Sequence, residues 1–193
     1  MTASLFAAVE LAPRDPILGL TESFNADPRA SKVNLGVGVY FDDSGKVPLL
    51  AAVKGAEKAR LEAAPSRGYQ PIEGLAAYNQ IVQKMLFGED SPLLAEGRVV
   101  TFEALGGTGA LKVGADFLRR LLPGATVFLS DPSWENHRAL FEYAGFPVQT
   151  YPYYDAATRG VDFSGMQAGL NSLPAGSIVV LHACCHNPTG ADL

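Results

Sequence analysis

Apolar and polar positions follow two regimes along this chain. From residue 98 onward, short β-branched or aromatic runs alternate with stretches of helical period. Val99–Leu105, Thr126–Ser130, Val148–Tyr153 and Ser177–Ala183 read as strands, because each is a brief apolar run bounded by turn residues. Between them, Leu111, Gly114, Ala115, Leu118, Leu121 and Leu122 recur at spacings that place them on one helical face. Pro123-Gly124 closes that helix, predicted over Ala110–Leu122. Further helices are predicted over Asn136–Ala144 and Phe163–Ser172. Strand–helix–strand alternation with short connections predicts an α/β fold with a mostly parallel sheet flanked by helices. In such sheets, ligands sit beyond the carboxyl ends of the strands.

The first part of the chain is less regular. Turn signals at Asp15-Pro16, Asp27-Pro28 and Asp42-Asp43-Ser44-Gly45 punctuate residues 1–46. A short helix is predicted over Ile17–Asn25, and two more over Leu49–Ala63 and Leu75–Leu86. The run "VNLGVGVY", Val33–Tyr40, is apolar but carries glycines at 36 and 38. Glycines inside such a run mark a bend or the close approach of another group.

Composition narrows the function. The 193 residues are 48% hydrophobic and 18% charged, with a net charge of −5. That is globular composition, and it lacks the basic stripe of a nucleic-acid or anionic-membrane binder. No apolar run approaches membrane-spanning length, and the first residues lack a basic, cleavable leader. A soluble cytoplasmic protein is expected. Cys184 and Cys185 are adjacent. Neighbouring cysteines bridge only with strain, so they read as reduced thiols rather than a disulfide framework. His182 and His186 flank them, but strand alternation argues against a metal site.

Three motifs carry chemistry. "LGGTG", Leu105–Gly109, joins a predicted strand to a predicted helix. Its glycines admit a phosphate to the helix N-terminus, although a tight capped turn would look the same. It is neither a Walker A loop nor a GxGxxG fingerprint. "DPSWENH", Asp131–His137, sets the only tryptophan beyond a strand, where a flat side chain suits a planar ring. "HNPTG", His186–Gly190, sets an asparagine amide beyond another strand, placed to bond a ligand oxygen. Taken singly, each has a structural explanation. Together they describe a planar, phosphorylated ligand lying across one sheet edge.

In order along the chain, "VNLGVGVY", "GYQPIEG", "LGGTGALKVGADFL", "SDPSWENH", "YPYYD" and "HACCHNPTGADL" closely resemble the aspartate/aromatic amino-acid branch of the class I pyridoxal-phosphate aminotransferases. The bacterial aromatic-amino-acid (tyrosine) members are the nearest in pattern, and the aspartate aminotransferases come second. The resemblance implies fold type I, with 1–46 as N-terminal arm and small-domain segment and 47–193 as the first part of the large cofactor domain. It implies a cytoplasmic homodimer that binds neither nucleic acid nor membrane. That dimer would exchange amino groups between aromatic or dicarboxylic L-amino acids and 2-oxoglutarate by a ping-pong route. It also assigns roles by position. Gly106, Gly107 and Thr108 would hold the phosphate of pyridoxal 5′-phosphate, Trp134 would stack on its ring, and Asn187 would bond its phenolic oxygen. Tyr69 would reach the cofactor of the partner subunit. Gly38, Trp134, Asn187, Ile17 and Leu18 would meet substrate, and His137 and His182 would stand behind the ring. Where many relatives have serine at the first position of the phosphate loop, this chain has Gly106.

The family's chemistry needs a lysine that forms a Schiff base and moves the proton. Lys32, Lys46, Lys54, Lys58, Lys84 and Lys112 are the lysines here, and none stands in that motif. The chain is therefore expected to stop before the catalytic half and to be inactive alone. Two other readings stand beside the aromatic one. The first is an aspartate aminotransferase, and the second is a non-catalytic, truncated fragment that binds cofactor or a partner. A different doubly wound phosphate-binding domain would match LGGTG but not the ordered set of motifs.

Overall fold

The computed structural model describes residues 7, 9–10, 18–34, 36 and 38–193. They form two compact units, 1–67 and 68–193. The first carries α1 (Leu18–Ala26) and α2 (Ala51–Ala63). The second carries α3 (Ala76–Phe87), α4 (Pro92–Ala95), α5 (Gly106–Leu121), β1 (Val127–Asp131), α6 (Glu135–Tyr143), β2 (Val148–Pro152), β3 (Tyr154–Asp155), β4 (Gly160–Val161), α7 (Phe163–Asn171) and β5 (Ile178–Val179).

In the second unit β1 is the middle strand of a parallel sheet ordered β2-β1-β5. Val127 pairs with Val148 on one side and with Ile178 on the other. β3 and β4 form a separate antiparallel ladder. Side chains alternate across β1, so each sheet face has its own core. Val127 and Leu129 pack with Ala115, Phe141 and Phe146 beneath α5 and α6. Phe128 packs with Tyr151, Tyr153 and Met166 beneath α7. The fold is therefore α/β, with helices on both faces of a parallel sheet.

Asp162 starts α7 as its N-cap, accepting the Gly165 N–H at 2.9 Å. Helix α7 then lies close on β2 at Gly169, where an added Cβ would stand 2.9 Å from Pro152 Cδ. Gly169→Ala is expected to lower stability by about 1–3 kcal/mol through this overpacking. A urea midpoint equal to wild type would show that the helix can shift.

Three sequence expectations change. Val99–Leu105 is not a strand, and Val100, Phe102 and Leu105 are exposed. An apolar run becomes a strand only when a partner takes its backbone groups. Here Glu103 N–H reaches Glu73 O at 3.1 Å, outside any strand ladder. Second, GGTG is not a strand–helix link but the first turn of α5, which begins at Gly106. Third, β5 spans only Ile178–Val179 of the predicted Ser177–Ala183, although Val180 N–H still bonds Phe128 O at 3.0 Å. Beside α5, Ile72, Phe102, Leu105, Val113 and Phe117 line an open apolar groove of about 730 Å³.

Candidate functional site

The carboxyl edge of the sheet gathers the motifs. β1 ends at Asp131 and leads to Trp134. β5, parallel and adjacent, leads to His182 and the Asn187 turn. Helix α5 returns into β1 through the short turn at Pro123-Gly124, so it runs antiparallel to that strand. Its N-terminus therefore lies at the same edge. No side chain caps α5, and Gly106, Gly107 and Thr108 are exposed in its first turn. Gly106 has φ +66°, a left-handed conformation that suits glycine. The Gly106 N–H bonds Ala104 O at 3.0 Å, while the N–H groups after it and the positive end of the dipole suit this turn to an anion.

All three histidines of the chain meet here. The His137 ring lies edge-on to Trp134 at 5.3 Å between centroids and 5.0 Å from His182. His182 lies 4.4 Å from His186, and His186 stacks on Tyr153 at 4.0 Å. Ser133 Oγ meets His137 Nδ1 at 2.9 Å. Ser130 Oγ and Thr189 Oγ1 meet the two ring nitrogens of His186, each at 2.8 Å. Both nitrogens of His182 are buried with no hydrogen-bond partner among the described residues. Burial lowers the pKa of each ring. For His137 and His186 the neighbouring imidazoles add to this, while Asp192 opposes it at His182 and His186. The cluster is thus neutral at pH 7. Behind it, burial raises Tyr151 to about 12, with Tyr153 adding and a Ser130 hydrogen bond opposing.

Of the residues singled out from sequence, Trp134, His137 and His182 form one contact chain, and Asn187 lies exposed one residue beyond buried His186. Tyr69 belongs to the same unit and is fully exposed. Gly38 belongs to the first unit. Ile17, and the side chain of Leu18, lie outside the described residues. Sequence reasoning missed Ser130, Ser133, Tyr153 and Asp192, which touch the cluster or its loop. Asp192 had a readable signal, since a carboxylate just past a turn often accepts nearby backbone N–H groups.

A parallel α/β sheet with a helix N-terminus, a tryptophan and an exposed asparagine at its carboxyl edge is an arrangement suited to a phosphorylated, planar ligand. Residues 30–193 match the family described as aminotransferase class I and II, and the chain belongs to that family. The aspartate aminotransferase of Pseudomonas aeruginosa is 72% identical over 190 residues, 98% of this chain and 48% of its own length. The aromatic-amino-acid aminotransferase of Escherichia coli is 54% identical, over 98% of this chain and 48% of its own length. The crystal structure of the aromatic-amino-acid aminotransferase from Burkholderia pseudomallei, covalently bound to pyridoxal phosphate, superposes with a TM-score of 0.89 at 71% identity, covering 99% of this chain and 48% of that one. The chain spans about half the length of the curated relatives it matches.

Proposed function

We propose that this chain supplies the cofactor-cradling half of a pyridoxal-phosphate aminotransferase. The reaction moves an amino group between aromatic or dicarboxylic L-amino acids and 2-oxoglutarate by a ping-pong route. The convergence of the α5 N-terminus, Trp134 and Asn187 at one sheet edge carries this reading. The donor set suits a planar phosphorylated pyridine. The first turn of α5 offers N–H groups to an anion, and the Asn187 amide has no partner among the described residues. The two orphaned nitrogens of His182 are further polar groups awaiting a neighbour. When bound, pyridoxal phosphate supplies an electron-withdrawing ring through which the amino group changes hands.

The chain's own residues then bind and orient. Gly106, Gly107 and Thr108 hold the phosphate at the helix end, where the dipole favours negative charge. Trp134, braced by His137, covers one face of the ring and keeps water from it. Asn187 donates its amide N–H to the ring oxygen. His137 and His182 stand behind the ring as neutral imidazoles. Gly38, Ile17 and Leu18 serve the substrate, and Tyr69 reaches the partner's cofactor in a cytoplasmic homodimer. Residues 1–46 form the arm and small-domain segment, and 47–193 the first part of the cofactor domain. Both substrate classes are proposed because relatives named for each match at 72% and 71% identity. A kcat/KM for aspartate far above that for phenylalanine in the full-length enzyme would narrow this to an aspartate aminotransferase.

Trp134 is the sole tryptophan, so its emission reads the site directly. Titration with pyridoxamine 5′-phosphate is expected to quench it saturably. This ligand forms no imine with surface lysines. The same protein, given pyridoxal phosphate, tyrosine and 2-oxoglutarate, is expected to show no turnover above a protein-free control. Quenching that never saturates would remove the cofactor site. Turnover would show that these 193 residues suffice for catalysis.

A further inference from the structure

The turn that presents Asn187 is held from several sides. Gly190 N–H closes it onto His186 O at 2.7 Å. Asp192 folds back beneath it. Its Oδ1 accepts the His186 N–H at 2.8 Å, and its Oδ2 accepts the Cys185 N–H at 2.7 Å. Cys185 has φ +53°, a left-handed conformation that costs a residue with a Cβ roughly 1–2 kcal/mol. The neighbouring carboxylate bonds offset that cost, because hydrogen bonds to a charged acceptor are stronger than neutral ones. Tyr153 clamps the other side. Its ring stacks on His186 at an interplanar angle of 15°, and its hydroxyl donates to Ala191 O at 2.7 Å. Ser130 fixes the far edge of the His186 ring. Residues 185, 186 and 191 are therefore anchored around Asn187, whose own amide is left free.

We propose that Asp192, seconded by Tyr153, is a positioning residue that sets the direction of the Asn187 amide. This rests on the reading that Asn187 meets a ring oxygen of the cofactor. A carboxylate is required, because two separate backbone N–H groups are met by two separate acceptor oxygens. In Asp192→Asn one of those oxygens becomes an NH₂, which faces an N–H and repels it. The two backbone bonds hold the Asp192 carboxyl below the usual carboxylate range, His186 first and Cys185 second. The clamp is therefore charged and closed at neutral pH.

The test compares two probes by Trp134 quenching: pyridoxamine 5′-phosphate and its 3-deoxy analogue, which lacks the ring oxygen. Wild type is expected to prefer the first about tenfold, the size of one well-made hydrogen bond. Asn187→Ala abolishes that preference. Asp192→Asn is expected to abolish most of it while binding the deoxy analogue as wild type does. Tyr153→Phe, which keeps the stack and loses the hydroxyl, falls between. General loosening of the fold would weaken both probes equally and leave the ratio unchanged, which would overturn the proposal. Wild-type preference retained in Asp192→Asn would overturn it as well. If wild type itself shows no preference, the Asn187 reading fails. The side-chain amide resonances of Asn187 then decide: one sharp pair in wild type that broadens or doubles in Asp192→Asn upholds the clamp, and identical spectra remove it.

Discussion

Leu129→Ala is expected to lower the unfolding free energy by about 3 kcal/mol, a large part of the 5–15 kcal/mol typical of a domain. Leu129 sits in the middle strand of the sheet and is 2% exposed. It packs in the cluster of Ala115, Val127, Phe141 and Phe146. Truncation removes apolar surface from that core and leaves a cavity, because strand pairing to β2 prevents collapse. Urea denaturation followed by Trp134 emission measures the loss. A shift below about 1 kcal/mol would mean that α5 and α6 close over the gap.

Acid should act on the histidine cluster with comparable force. Each ring has its pKa lowered in the folded protein, mainly by burial. In the unfolded chain each returns to about 6.5. The unfolded state therefore binds more protons below that value, and stability falls as pH drops from about 6.5 towards the depressed folded values. Above about 8 the rings are neutral in both states and contribute no slope. Each unit of depression is worth about 1.4 kcal/mol, and protons on rings 4.4 and 5.0 Å apart also repel. Among the described residues Ser133, Ser130, Thr189 and Tyr153 face the rings uncharged, and Asp192 supplies the opposing charge acting on His182 and His186. Urea midpoints at about pH 7.5 and 5.5 test this. His182→Leu removes one titrating ring without breaking a hydrogen bond, so its midpoint should fall less over the same interval. An equal fall in both proteins would place the acid sensitivity elsewhere.

The regular part of the fold was legible because it is locally determined. The stripe through Ala115 and Leu118 marks the face of α5 on the core, and both residues pack there. β1 and β2 fall within a residue of their expected limits, since turn residues bracket each run. Val99–Leu105 misled because strand pattern states a capacity for pairing, and pairing depends on a neighbour that local sequence does not contain. The stretch 106–109 misled differently. Glycines signal a turn, yet the first helical turn tolerates them, because its N–H groups have no intrahelical partner to lose. At the site, Trp134 and Asn187 stood out by residue type and by their position after strands. The Tyr153 side of the clamp did not, because it joins residues 153 and 186 across the fold, whereas Asp192 acts within its own turn. The meeting of all three histidines was likewise hidden, since it depends on β1 and β5 being neighbours in space.

The order β2-β1-β5 gives this sheet two unequal borders. β2 lies on one, and prolines bracket it: Pro147 just before and Pro152 at its last position. Pro147 turns its carbonyl to the Val127 N–H of β1, and Pro152, which has no backbone donor, leaves the outer rim without an N–H at its end. β5, on the opposite border, is short and apolar, and while Ile178 and Val180 bond β1, Val179 between them turns its backbone groups to the outer rim. The two borders are therefore unequal, and the β5 side offers a further strand the more complete row of backbone partners.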